Sequence, residues 1–109
     1  MTSTPSIPEP VASFLAAVTA HDPRAFDLFT DTPVVDDWGR ELMGLEQISR
    51  WSDTEFIGSS PTLTVTAVTV SGPSVTVVGD WRSTHANGPS SFRFDLDGDR
   101  IARMTIREG

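Results

Sequence analysis

Cysteine is absent from the 109 residues, which excludes disulfide staples, thiolate nucleophiles and cysteine-ligated metal sites. Lysine is absent too: the eight basic residues are all arginines, scattered from Arg24 to Arg107 without a run. Nucleic-acid binders draw most of their affinity from a basic stripe that neutralises phosphates, so nucleic acid is not an expected partner. A net charge of -7 argues equally against docking on anionic lipid and favours solubility. No apolar run approaches the ~20 residues needed to span a bilayer, so no membrane association is expected. Met1 to Pro10 holds three prolines and lacks the charged start and apolar centre of a signal peptide, and is read as a flexible leader of a cytoplasmic protein. What remains, residues 11–109, has ordinary globular composition and the length of one domain.

Along the chain, Val11, Phe14, Leu15 and Val18 recur at helical spacing and predict a first helix. Asp22-Pro23 combines an N-cap aspartate with proline at the first helical position, which starts a short second helix carrying Phe26 and Phe29. Thr30 to Pro33 stops it. Val34 to Trp38 is β-prone and ends at Gly39, a short strand leading into a turn. A third helix follows Gly44 and buries Leu45, Ile48 and Trp51 or Phe56.

From Thr62 the period changes to two. The alternation slips between Ala67 and Val68, which predicts a bulge that bends the strand. Ser74 to Thr84 places Val75, Val77, Gly79 and Trp81 on one face, read as the inner one, with Val78, Asp80 and Arg82 outside. Asn87-Gly88-Pro89 reads as a turn before a strand from Ser90, and Asp97-Gly98 as a turn before a last strand from Arg100. Helices first and a strand meander afterwards is an α+β order: three N-terminal helices against a curled antiparallel sheet. Thr64, Thr66, Val68, Val70, Thr76 and Val78 are read as an outer sheet face apolar enough to pair two copies in a homodimer.

This order, with the run Phe14-Leu-Ala-Ala-Val-Thr-Ala-His-Asp22, then Leu28 to Asp37, then Gly44-Leu-Glu-Gln-Ile48, resembles the nuclear-transport-factor-2-like superfamily. Within it the chain is most similar to SnoaL-like polyketide cyclases and ketosteroid isomerases. The resemblance covers nearly everything after the leader, and implies a cone-shaped sheet with a pocket between sheet and helices. It places Asp37 where the isomerase has its general base. Phe14 stands where that enzyme has an oxyanion-hole tyrosine, and Ser90 where it has a protonated aspartic acid. Losing one such donor typically costs about 100- to 1,000-fold in rate, so a cyclase-type reaction on an already acidified carbon fits the substitutions better than steroid isomerisation.

Asp36 and Asp37 are adjacent, so only one faces the pocket from an extended strand. The resemblance selects Asp37 as catalytic; the bland alternative for both is a turn pair before Gly39. Beside Trp38 and facing Phe14 and Phe29, Asp37 would be partly desolvated, the condition under which a carboxylate becomes a better base. Phe14, Trp81, Ser90, Phe92, Met104 and Ile106 are the expected ligand-binding residues, in line with the isomerase's pocket. His85 either reaches the pocket rim or sits in a solvated turn. Asp80 and Arg82 are assigned to the outside. His21 and His85 lack metal-ligand spacing, and Gly39 to Gly44 lacks a phosphate-cradling pattern, so neither metal nor cofactor is expected. Two functions stay open: an isomerase or cyclase removing a proton next to a carbonyl of a small apolar, polyketide-like molecule, or a non-catalytic small-molecule-binding or dimerisation module.

Overall fold

In the computed structural model, which describes residues 6–109, the apolar stripe Val11, Phe14, Leu15 and Val18 is the buried face of α1, Val11–Thr19. The Ser13 amide donates to Glu9 Oε1 at 2.9 Å and so satisfies one of the helix's free N-terminal amides. The leader expected over residues 1–10 is built in where it is described: Ile7 packs against the core and Pro10 is buried. Residues 1–5 lie outside the described residues. Asp22 accepts from the Arg24 amide and Pro23 opens the second helix, but its six residues, Pro23–Leu28, wind as a 3-10 helix. Six residues make too few α-type bonds to overcome the cost of nucleation, and the tighter winding suits short pieces. It is the shortest of the three principal helices, α1, this one and α2, Leu45–Glu55; a 3-10 turn, Ile57–Ser59, follows α2.

Six strands form one sheet: β1 Phe29–Asp37, β2 Arg40–Met43, β3 Thr62–Ser71, β4 Ser74–Arg82, β5 Asn87–Asp97 and β6 Arg100–Glu108. Their order is β2-β1-β6-β5-β4-β3. The sheet is mixed, where a wholly antiparallel one was expected: β1 runs parallel to β6, and every other pair is antiparallel. Periodicity marks which segments are strands but carries no record of neighbours. The first strand reached by the chain lies beside the last, and α2 carries the chain across to the far edge, where the meander begins. Trp38 and Gly39 join β1 to β2 as a two-residue turn with φ of 55° and 92°. Two positive values are what the tight hairpin turn requires, and a tryptophan there is unusual.

The β3 slip is present as a register shift between Val65 and Ala67. Its consequence changes the expected dimer face. Leu63 and Val65 lie opposite Trp81 and Gly79, but beyond the shift Val68 and Val70 lie opposite Val77 and Val75 and so belong to the inner face. The outer face carries Thr64, Ala67, Thr69, Thr76 and Val78, and is less apolar than expected. Asn87-Gly88-Pro89 is not a turn but the start of β5, paired with Arg82, Trp81 and Asp80. The turn lies at 83–86, where the Ser83 amide donates to Asn87 Oδ1 at 3.0 Å.

Gly79 marks a close approach: a Cβ built there would lie 2.5 Å from the Thr64 carbonyl oxygen and 2.9 Å from Leu63 Cδ1. Gly79→Ala must push β3 away from β4 and is expected to destabilise by about 1–3 kcal/mol, read as a lowered urea midpoint. An unchanged midpoint would show that β3 yields freely.

Inside the curl, Phe14 of α1 sits at the centre of an aromatic cluster with Phe26, Phe29, Phe56 and Phe94, centroids 5.3–6.4 Å apart. Edge-on and tilted contacts of this kind add to what burial alone contributes. No helix among the described residues is long and apolar enough to cross a membrane.

Candidate functional site

Where the curled sheet opens away from α1, a cavity of about 180 Å³ is left between α2 and the sheet. Its wall is built by six parts of the chain. Asp37 and Trp38 come from the end of β1 and its turn, and Trp51, Glu55 and Phe56 from the last turns of α2. Trp81 comes from β4, His85 and Ala86 from the loop after it, Ser90 and Phe92 from β5, and Ile106 from β6. The aromatic side is continuous: Trp51 stacks on Phe56 at 4.7 Å, Phe56 on Trp81 at 5.0 Å, and Trp81 meets Phe92 at 5.6 Å. All three tryptophans of the chain lie on this one wall.

Opposite charges gather at the mouth. Asp37 Oδ2 accepts from the Trp51 indole N–H at 3.0 Å and from Arg40 Nη2 at 2.9 Å. The same Arg40 nitrogen donates to Glu55 Oε1 at 2.7 Å, and His85 Nε2 lies 3.3 Å from that oxygen. Arg40, on the edge strand β2, has a half-exposed side chain. Its charge is held more firmly by the two carboxylates, Glu55 first. Asp37 is therefore an ion-paired carboxylate on a half-buried wall, not the carboxylate desolvated by Phe14 and Phe29 that was expected. Both of its hydrogen bonds fall on Oδ2, and Oδ1 has none among the described residues.

The expected ligand-binding residues divide. Trp81, Ser90, Phe92 and Ile106 are on the cavity wall with Asp37. Phe14 and Met104 are not: both are 0% exposed and belong to the closed core. Phe14 is separated from the cavity by Phe56, against which it stacks at 6.4 Å. Ser90 donates its hydroxyl to the Gly88 carbonyl at 3.2 Å. His85 is both exposed and on the cavity rim. Asp80 and Arg82 pair with each other at 2.9 Å on the outer face. His21 turns its ring to the Pro61 carbonyl at 3.3 Å.

Sequence reasoning missed Glu55, Phe56 and Arg40. One signal was available: Trp51 and Glu55 stand four residues apart on a helix and so share a face. Arg40 reaches the site only through the hairpin.

Asp36, the neighbour of the candidate base, points to the other side and is 7% exposed. Arg107 grips it with two bonds of 2.9 and 3.1 Å, Arg103 adds one of 3.1 Å, and the Gly39 amide donates at 2.7 Å. The hydrogen bonds from Arg107, more than any other cause, pull its carboxyl down to about 2 against burial. Asp36 is a clamp between β1, β6 and the hairpin turn, a role beyond the simple turn pair.

Among solved structures, a protein from Sinorhizobium meliloti provisionally named a polyketide cyclase superposes with a TM-score of 0.83 at 22% identity, covering 97% of this chain and 100% of that one. A protein from Catenulispora acidiphila with a ketosteroid isomerase-like fold, in complex with trimethylamine, gives 0.75 at 25% identity, with 95% and 88% covered. An NTF2-like protein of unknown function from Cytophaga hutchinsonii gives 0.77 at 13%, with 89% and 84% covered. No curated protein matches the chain. The family of SnoaL-like domains matches residues 11–109, all of the chain beyond its first ten residues, and the chain belongs to that family.

Proposed function

We propose that the cavity takes a small apolar molecule bearing a carbonyl, and that Asp37 is the general base that removes the proton next to it, an isomerase- or cyclase-type reaction. The observation that carries this is the carboxylate's arrangement: Trp51 and Arg40 hold Oδ2, which orients the group and leaves Oδ1 to accept a proton. Size narrows the substrate. A cavity of about 180 Å³ compares with the ~150 Å³ that encloses a benzene ring, so a one-ring polyketide-like molecule fits within it and a larger one would extend through the mouth. Phe14 is off the wall and the Ser90 hydroxyl is engaged, so the substrate must carry its own acidifying group, as a β-dicarbonyl does.

The competing reading, a binding module without chemistry, is favoured by the Arg40 ion pair, which gives Asp37 a structural partner at the mouth of the cavity. The complex of the Catenulispora acidiphila protein with trimethylamine supports a small ligand on either reading. The two separate on a six-membered cyclic β-keto ester in D₂O. A catalyst speeds deuterium uptake between the carbonyls above the buffer rate, saturably; saturable binding without added exchange selects the binding module.

We also propose a homodimer on the outer sheet face, where Thr64, Ala67, Thr69, Thr76 and Val78 offer short side chains with little entropy to lose. Light scattering should return twice the 11.8 kDa of one chain at micromolar concentration. A monomer mass sinks the idea.

A further inference from the structure

We propose that the molecule held in this cavity carries a protonated amine, whose nitrogen takes the place of Arg40 Nη2 between Asp37 and Glu55. The proposal rests on the reading of the cavity as the ligand site. One nitrogen, Arg40 Nη2, stands 2.9 Å from Asp37 Oδ2 and 2.7 Å from Glu55 Oε1, so the two oxygens are spaced to share a single N–H donor group. That nitrogen comes from an edge strand on a half-exposed side chain that is not part of the cavity wall. Exposed pairs of this kind hold weakly, and the guanidinium is well hydrated once it swings out.

The wall itself favours a cation. Its ionisable groups are Asp37, Glu55 and His85, and no arginine lines it. With Arg40 displaced and His85 neutral, two negative charges face the ligand. A carboxylate or phosphate ligand would be repelled, and a neutral one without a donor would leave Glu55 Oε1 without the Arg40 bond and Asp37 Oδ2 with the Trp51 indole N–H alone. Trp51, Phe56 and Trp81 stand beside the carboxylates, and aromatic rings tolerate an alkylammonium better than any aliphatic wall. The volume limits the body to about one six-membered ring, resting on Trp81, Phe92 and Ile106. An amine on that ring leaves Asp37 Oδ1 available for the proton transfer proposed above.

Three probes with one body test this: cyclohexylamine, cyclohexanol and cyclohexanecarboxylate, titrated at neutral pH and low salt against the tryptophan emission. The amine is expected to bind at least about tenfold more tightly than the alcohol, the low end for a charge-assisted hydrogen bond, with the carboxylate weakest. Arg40→Ala should tighten the amine by removing its competitor, and Glu55→Gln should shrink the amine-to-alcohol preference. The second variant also separates the cavity from nonspecific attraction to an acidic surface, which it would scarcely alter. If the alcohol or carboxylate binds as tightly as the amine, the cavity is a ligand site and the amine inference falls. If Arg40→Ala weakens the amine, the nitrogen does not sit between the two carboxylates and the inference also falls. If none of the three changes the emission at millimolar concentration, the ligand-site reading fails and takes the inference with it.

Discussion

Asp36→Asn is expected to lower the stability of the fold by about 2–3 kcal/mol, the range for charge-assisted hydrogen bonds. Asparagine keeps the shape and an acceptor for the Gly39 amide, but its NH2 stands where Oδ2 accepts from Arg103 and Arg107, so those bonds are lost with the charge. It leaves Arg103 and Arg107 facing each other without the carboxylate that joins them. The cost stays below the ~3–5 kcal/mol of a wholly buried broken pair because both guanidiniums reach water. The effect has a pH signature. The carboxyl of Asp36 sits at about 2 in the fold against an ordinary 3.8. A depressed value means that its stabilisation is fully present above about pH 4 and is lost as pH falls toward 2. Urea midpoints should therefore fall steeply for the native chain between about pH 5 and 2, and less steeply for Asp36→Asn. Parallel curves would show that the clamp contributes nothing.

Asp37→Asn is expected to abolish the deuterium exchange, with a loss of about 100- to 10,000-fold, the usual contribution of a positioned general base. The amide oxygen can still accept from the Trp51 indole, so the wall keeps its shape and a neutral ligand keeps its affinity. Asp37 is also paired with Arg40 on an exposed face, where an ion pair contributes little to folding. The neighbouring aspartates should thus separate cleanly: the first variant loses stability and keeps exchange per folded molecule, and the second does the reverse. Full exchange activity in Asp37→Asn would leave Asp37 as a hairpin residue and remove the catalytic reading. An equal loss of stability in the two variants would mean that the two sides of β1 act as one unit.

The helices and strands were legible along the chain. Val11, Phe14, Leu15 and Val18 could form only a helix face, the alternation after Thr62 only strands, and the slip near Ala67 a bulge, because these follow from the spacing of side chains along one segment. Trp81, Phe92 and Ile106 were legible as inward-facing for the same reason, and the family resemblance selected Asp37 and Ser90; all five line the cavity. Which segments meet was set by the assembled fold. It set β1 parallel to β6 and put Val68 and Val70 on the same sheet face as Val77 and Val75, with Val70 exposed. Phe14 and Met104 it sealed in the core, and Glu55, Arg40 and His85 it brought to the mouth of the cavity from a helix, a hairpin and a loop. Periodicity reports the face a residue occupies, whereas closing a cavity or pairing two charges depends on how far the sheet curls and on which edge the first strand takes. Asp36 shows the limit most plainly: its partners Arg103 and Arg107 lie 67 and 71 positions away, and nothing local marks them as such.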